Sequence, residues 1–121
     1  LVRYIKKAKE NFKCLMLHHN IIPIPHSREK GLLEDSGDFL RDVVDAKVDL
    51  VLTGTSSHPF AVRVGETLVV NANSLSSIYQ RSMNGNSYNL IDIFEKAIMV
   101  SEVNSLWGGR KLVGLWRINS D

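Results

Sequence analysis

The sequence contains a single cysteine, Cys14, among its 121 residues. One cysteine cannot form a disulfide within the chain, so this is not a small secreted domain held together by disulfides. The residues around Cys14 are mostly apolar. This setting predicts a buried thiol in a reducing compartment.

Long hydrophobic runs are also missing from the sequence. No stretch approaches the ~20 apolar residues that cross a bilayer, and no segment has the pattern of a secretory signal. We therefore expect a cytoplasmic protein with no membrane partner.

A strong charge of either sign is absent as well. The 15 lysines and arginines nearly balance the 13 aspartates and glutamates, which gives a net charge of +2. This charge is too small to indicate a nucleic-acid partner. The most basic stretch, residues 6–13, is more simply explained as the solvent-facing side of a helix.

The length and composition are those of one globular domain. The 121 residues suffice for one hydrophobic core, and they are too few for two ordinary domains. The 44% hydrophobic and 23% charged fractions are typical of soluble proteins. We predict a single domain over residues 1–121. Because the chain starts at Leu1 without a methionine, we also expect it to be a piece of a longer parent.

Hydrophobic spacing predicts an α/β fold. Apolar residues recur with helical spacing over residues 1–10 and 37–46, while residues 12–17 and 48–53 form short apolar runs of strand length. Both strands are expected to be buried on both faces, as in a parallel sheet. The order strand–helix–strand predicts a parallel pair with the helix 37–46 as its crossover.

An antiparallel meander is predicted after Pro59. Short strands over residues 61–64 and 67–71 flank Gly65-Glu66, which is a favourable two-residue hairpin turn. Further strands are predicted over residues 87–94, 97–103 and 111–118. Loops are predicted over residues 19–34 and 74–86.

Polar residues follow three of the predicted strands. His18 and His19 follow the first, and the segment Gly54-Thr55-Ser56-Ser57-His58-Pro59 follows the second. The third apolar run ends in Asn71-Ala72-Asn73-Ser74. A buried strand that ends abruptly in polar residues is typical of one that delivers side chains to a site.

The order and spacing of these strand ends resemble the C-terminal half of the calcineurin-like metallophosphoesterases, from about residue 15 to about residue 93. That family carries a strand ending in His, then Gly-His-x-His, then Asn-x-Gly-Ser. The resemblance implies a two-sheet α/β/β/α sandwich. It also implies a parent that hydrolyses phosphomonoesters or phosphodiesters at a two-metal site holding Mn, Fe or Zn.

The resemblance assigns metal ligands by position, and here the sequence departs from the family. His18 matches the first histidine ligand, but Thr55 and Ser57 stand where the Gly-His-x-His imidazoles would be. Hydroxyl groups are poor ligands for these metals, so the motif is degenerate. His58 is one residue out of register and should point away from the site, unless a local bulge turns it inward.

Other matched positions would line the same site: His19, Gly54, Asn71, Asn73 and Ser74. Asn73 replaces the family's glycine, and asparagine is the residue that best tolerates a positive φ after glycine. An ordinary strand end explains the asparagines equally well, and a packed or solvated imidazole explains the histidines. Arg28 on the long loop is a candidate phosphate contact, with a solvated loop as the alternative.

The leading interpretation is a degenerate metallophosphoesterase-like domain without a catalytic residue of its own. The family's N-terminal motifs, which hold most of the metal site, do not occur in this sequence. We therefore expect no cofactor on this chain alone, and a missing N-terminal half or longer parent chain as its partner. The alternative is a non-catalytic pseudo-enzyme module for protein interaction or homo-oligomerisation. Its apolar contact residues would be Leu106, Trp107, Leu115 and Trp116, which also suit core packing.

Overall fold

The computed structural model describes residues 2–7, 9, 11–22, 36–54, 59–74 and 85–118. The described elements in chain order are α1 (Val2–Lys7), β1 (Cys14–Met16), α2 (Ser36–Asp45), β2 (Leu50–Thr53), β3 (Phe60–Val64), β4 (Thr67–Asn71), β5 (Ser87–Ile93), β6 (Ala97–Asn104) and β7 (Arg110–Arg117). The strands form two sheets, one of four strands and one of three.

The first sheet has the strand order β1-β2-β4-β3. β1 runs parallel to β2, with Cys14 opposite Leu50 and Met16 opposite Leu52. The helix α2 lies between these two strands in the chain. The predicted parallel pair with its crossover helix is therefore confirmed, and His18 and Gly54 follow the carboxyl ends of neighbouring strands.

The position of β4 differs from the prediction. The hairpin around Gly65 is present, because β3 and β4 pair antiparallel and Gly65 adopts the positive φ of 59° that such a turn requires. However, β4 also pairs in parallel with β2, so it is a central strand of the first sheet. All five of its residues are buried, as expected for a strand that is covered on both faces.

The second sheet is the predicted antiparallel meander, with the order β5-β6-β7. The pairing of β6 with β7 shifts between Val100, which faces Gly114, and Ser101, which faces Leu112. Val113 is thus the extra residue of a β-bulge, which increases the local twist of β7.

Two hydrophobic clusters hold the layers together. The cluster between the helices and the first sheet includes Ile5, Val43, Val51 and Val69. The cluster between the two sheets includes Leu50, Leu68, Val70, Ile98 and Val100. Alternate residues of β2 enter different clusters, because successive side chains of a strand point to opposite faces. The helices therefore cover one face of the first sheet, and the second sheet covers the other.

The predicted burial of β1 is wrong. Its regular part is Cys14–Met16, and only the central residue is partly buried. Cys14 is exposed, contrary to the predicted buried thiol, and the Met16 side chain is 76% exposed. The reason is tertiary: β1 lies at the edge of its sheet, and the second sheet does not cover it. Among the helices that the structure describes, none is long and apolar enough to cross a membrane.

Candidate functional site

The carboxyl edge of the first sheet gathers several of the predicted site residues. The parallel strands β1, β2 and β4 end there at Met16, Thr53 and Asn71. His18 follows β1 and Gly54 follows β2. Parallel strands present their carboxyl ends at one edge, which is where open α/β sheets place ligand sites.

His18 and His19 lie together on this edge, and both are exposed. Their rings meet edge to face, with centroids 5.0 Å apart and an interplanar angle of 89°. Such T-shaped contacts are a favourable geometry for aromatic rings. The pair therefore offers imidazole nitrogens near the solvent, which is the accessibility that a metal or an anionic ligand needs.

Asn20 follows the two histidines and is buried, with 3% of its surface exposed. Its Oδ1 atom has no hydrogen-bond partner within the described parts of the protein. A buried carbonyl oxygen without a donor is rare in folded proteins. Asn20 was not singled out from the sequence, since only burial distinguishes it from an ordinary loop asparagine.

Thr53 and Asn71 form a buried pair at the centre of the edge. They are directly opposite each other in the parallel register, and the Thr53 Oγ1 hydroxyl donates a hydrogen bond of 2.8 Å to Asn71 Oδ1. A second hydrogen bond joins the same two strand ends. The backbone N–H of Ala72, the residue after Asn71, donates to the Thr53 carbonyl at 2.9 Å. Neutral hydroxyl and amide groups thus hold the strand ends together.

Asn73 connects β4 to the start of the second sheet. Its Nδ2 group donates to the Gly85 carbonyl at 2.5 Å and to Ser87 Oγ at 3.1 Å, while its Oδ1 accepts from the Ser74 N–H at 2.8 Å. Among the non-glycine residues that the structure describes, Lys47 alone has a positive φ. Of the two interpretations left open for Asn73, the structure does not show the positive-φ turn. Its amide bridges two elements.

The series of hydrogen bonds from Asn73 through Ser87 continues to the carboxylate of Glu102, which was not predicted from the sequence. Ser87 Oγ donates to Glu102 Oε1 at 3.0 Å, and Glu102 is buried. Asn89 and Lys111 lie opposite Glu102 on the two neighbouring strands. These three residues and Phe60 help to line a cavity of about 200 Å³ between the two sheets. In the sequence, Glu102 could have been noticed as the one acidic residue inside the apolar run of residues 97–103.

The remaining predicted site residues lie outside the described part of the chain. These residues are Arg28, Thr55, Ser57 and His58. Within the described ranges, no group of three or more histidine, cysteine, aspartate or glutamate side chains is placed to hold a metal ion. The donors that the described residues bring to the edge are two imidazoles and neutral oxygens, so these residues by themselves do not fit a two-metal centre with bridging carboxylates.

The fold has clear counterparts among solved structures. A single mutant of Vps29 from Entamoeba histolytica matches with a TM-score of 0.52 and 20% identity, over 85% of this chain and 53% of that one. GAP50, the anchor in the inner membrane complex of Plasmodium, matches with a TM-score of 0.67 and 14% identity, over 99% of this chain and 40% of that one. Vps29 from Cryptosporidium parvum matches with a TM-score of 0.50 and 10% identity, over 69% of this chain and 44% of that one.

These matches establish the fold class. The parallel sheet packed against an antiparallel sheet is the metallophosphoesterase-like fold of Vps29. The chain spans about half the length of the solved structures it matches. No protein-family model and no curated protein matches the sequence.

Proposed function

We propose that this chain is a degenerate metallophosphoesterase-like domain that does not hydrolyse phosphate esters by itself. The observation that carries the proposal is the composition of the carboxyl edge. The buried centre of that edge is the Thr53–Asn71 hydrogen bond, which involves no carboxylate. The exposed imidazoles of His18 and His19 lie beside it.

Two-metal hydrolysis has requirements that this donor set does not meet. The two ions lie ~3.5–4 Å apart and need carboxylate ligands to offset their charge. In the sequence, Thr55 and Ser57 place hydroxyl groups where the family has imidazoles. His18 is then the one matched nitrogen ligand left. In a parent that supplies the missing carboxylates, we propose that His18 contributes one ligand for phosphomonoester or phosphodiester hydrolysis.

The test is hydrolysis of p-nitrophenyl phosphate and of its bis-ester with added Mn²⁺. The unmodified chain should show no Mn²⁺-dependent turnover above the buffer rate. His18→Ala and His19→Ala form a matched pair, because the two residues are adjacent and both exposed. Turnover that His18→Ala abolishes and His19→Ala preserves would overturn the proposal.

A second candidate function is protein interaction, which exposed apolar side chains favour. Leu106 and Trp107 in the turn after β6 are 86% and 78% exposed, and Leu115 on β7 is also exposed. Trp116, which was grouped with them in the sequence, packs instead against the cluster between the sheets. Apolar side chains this exposed are typical of contact surfaces.

We propose homo-oligomerisation as the simplest form of this second function. Light scattering across a range of protein concentrations should then show a dimer or larger species. Trp107→Ser should shift the protein toward the monomer, whereas Tyr4→Ser, which changes another exposed aromatic residue, should not. A monomer at all concentrations would exclude this form of the second candidate.

A further inference from the structure

The cavity between the two sheets gathers charged and polar side chains away from the histidine pair. Its volume is about 200 Å³, and Phe60 at the start of β3 forms part of its wall. In the first sheet β3 is three strands away from β1, which is ~14 Å at the usual spacing of neighbouring strands. Because His18 and His19 follow β1, the cavity is separate from them and needs an explanation of its own.

Three polar side chains line the cavity as one row across the second sheet. Glu102 on β6 lies opposite Asn89 on β5 and opposite Lys111 on β7. Residues directly opposite each other on antiparallel strands project from the same face, with Cβ atoms ~4.5–5.5 Å apart. The same face continues with Val100 and Ile98 into the apolar cluster between the sheets. The row is therefore the polar end of an otherwise apolar face.

The carboxylate in the middle of this row is held in place. Glu102 is 7% exposed, and its Oε1 accepts a hydrogen bond of 3.0 Å from the Ser87 hydroxyl. The Ser87 oxygen in turn accepts a hydrogen bond of 3.1 Å from the Asn73 amide. A carboxylate accepts about four hydrogen bonds in all, so it can receive donors from a ligand as well as from Ser87. A carboxylate fixed in this way binds a cationic group with little further loss of conformational freedom.

The ammonium group at the end of the row is not paired with this carboxylate. Among the residues that the structure describes, the ion pairs are Asp38–Arg41 and Asp92–Arg110, and Glu102 does not form one with Lys111. Lys111 is exposed, whereas Glu102 is buried. The two opposite charges therefore border the cavity at different depths, and a ligand that lies between them can contact both.

The apolar part of the wall depends on the β-bulge in β7. Consecutive residues of a regular strand point to opposite faces, yet Leu112 and Val113 both line the cavity. The register shift at this position accounts for the difference, since a bulge interrupts the alternation. Bulges are common beside active sites, where they redirect a side chain. Here the bulge adds apolar surface next to the charged row.

We propose that this cavity binds a free α-amino acid with a small apolar side chain. The ammonium group of the ligand donates to Glu102, its carboxylate accepts from Lys111, and its side chain packs against Phe60. An apolar cavity of ~150 Å³ holds benzene. A volume of about 200 Å³ therefore holds a molecule of about eight non-hydrogen atoms, which is the size of valine.

A ligand with both charges fits this row better than a ligand with one. A simple amine would bring a second positive charge close to Lys111, and a simple carboxylic acid would bring a second negative charge close to Glu102. Like charges repel at these distances, and they repel more strongly in a buried setting. The amide of Asn89 carries both donors and an acceptor, so it can form a hydrogen bond with either end of a zwitterion.

The test is a titration of the protein with L-valine, followed by two-dimensional NMR of the backbone amides. The signals of Phe60, Lys111 and Val113 should move along one saturable curve. Isobutylamine lacks the carboxylate of valine, and isovalerate lacks its ammonium group. Both should bind at least about tenfold more weakly than valine, because each loses a hydrogen bond between charged groups.

Two variants of the protein remove one charge each. Glu102→Gln keeps an oxygen that can accept from Ser87, and Lys111→Met changes an exposed side chain. Each should weaken valine binding at least about tenfold. Lys96→Met changes another exposed lysine, between β5 and β6, and should leave the affinity unchanged. If circular dichroism shows that Glu102→Gln does not fold, the comparison of Lys111→Met with Lys96→Met decides.

Three results would overturn the proposal. The first is the absence of a saturable shift up to the solubility limit of valine. The second is binding of isobutylamine or isovalerate as tight as that of valine, since one charge would then suffice. The third is an affinity in Lys111→Met that equals that of the unmodified protein or of Lys96→Met. None of these readouts involves metal or phosphate, so they remain separate from the test of the proposed function.

Discussion

Replacing Thr53 by valine tests the strand-end pair directly. Thr53→Val keeps the shape of the side chain but removes the hydroxyl that donates 2.8 Å to Asn71 Oδ1 in a buried setting. Removing one partner of a buried hydrogen bond costs ~1–3 kcal/mol. The added methyl group offsets at most ~0.8 kcal/mol of this loss. We therefore expect the free energy of unfolding to fall by about 1–2 kcal/mol.

Urea unfolding followed by circular dichroism measures this change. With a denaturant dependence of ~1–3 kcal/mol per molar urea, a loss of about 1–2 kcal/mol should lower the midpoint by about 0.3–2 M. Thr53→Ser keeps the hydroxyl and serves as the matched control for the donor. The double variant with Asn71→Leu should lose less than the sum of the two single changes, because no buried acceptor is then left without its donor. A Thr53→Val protein as stable as the unmodified one, or strict additivity in the double variant, would show that the Thr53–Asn71 hydrogen bond does not stabilise the fold.

Three further predictions concern the second sheet and the edge strand. Ser87→Ala removes the hydroxyl that donates to the buried Glu102 carboxylate, so the free energy of unfolding measured by urea titration should fall by about 1–3 kcal/mol. An unchanged unfolding midpoint would contradict this prediction. Gly114→Ala would place a Cβ atom in steric overlap with the Trp116 ring, which should cost ~1–3 kcal/mol and alter tryptophan fluorescence. An unchanged spectrum and stability would count against this prediction. Although the Cys14 side chain is exposed, the atoms around its sulfur partly desolvate the thiol and raise its pKa. Its alkylation rate should therefore rise with pH at a midpoint above that of a cysteine in an unfolded peptide; a midpoint at or below the peptide value would disagree.

Much of the fold could be predicted from local patterns in the sequence. The helix α2 and the hairpin around Gly65 follow from helical spacing and from turn chemistry, both of which act over a few residues. The parallel pairing of β1 with β2 followed from the strand–helix–strand order. The central position of β4 could not be predicted in this way, because its pairing with β2 depends on contacts between distant segments. Its trace in the sequence is the continuous apolar run over residues 68–70, which is buried in the structure.

The candidate site was harder to predict than the fold. The sequence correctly placed His18 and Gly54 at the ends of neighbouring strands, because strand order determines which strand ends meet. It left the role of Asn73 open, because the hydrogen bond from its amide to Ser87 depends on how the two sheets pack. It overlooked Glu102 for the same reason. The roles assigned to Thr55 and Ser57 remain predictions from the resemblance.

Metal binding decides whether this chain retains a phosphoesterase site, because every activity of a metallophosphoesterase site depends on its metal ions. Chelator-treated protein is titrated with Zn²⁺ and, separately, with Mn²⁺ in a calorimeter, and the same titrations are repeated with His18→Ala. We expect no tight saturable binding of either ion, since the described residues include no group of three or more histidine, cysteine, aspartate or glutamate side chains placed to hold one. Tight binding of one or more equivalents that His18→Ala removes would contradict it.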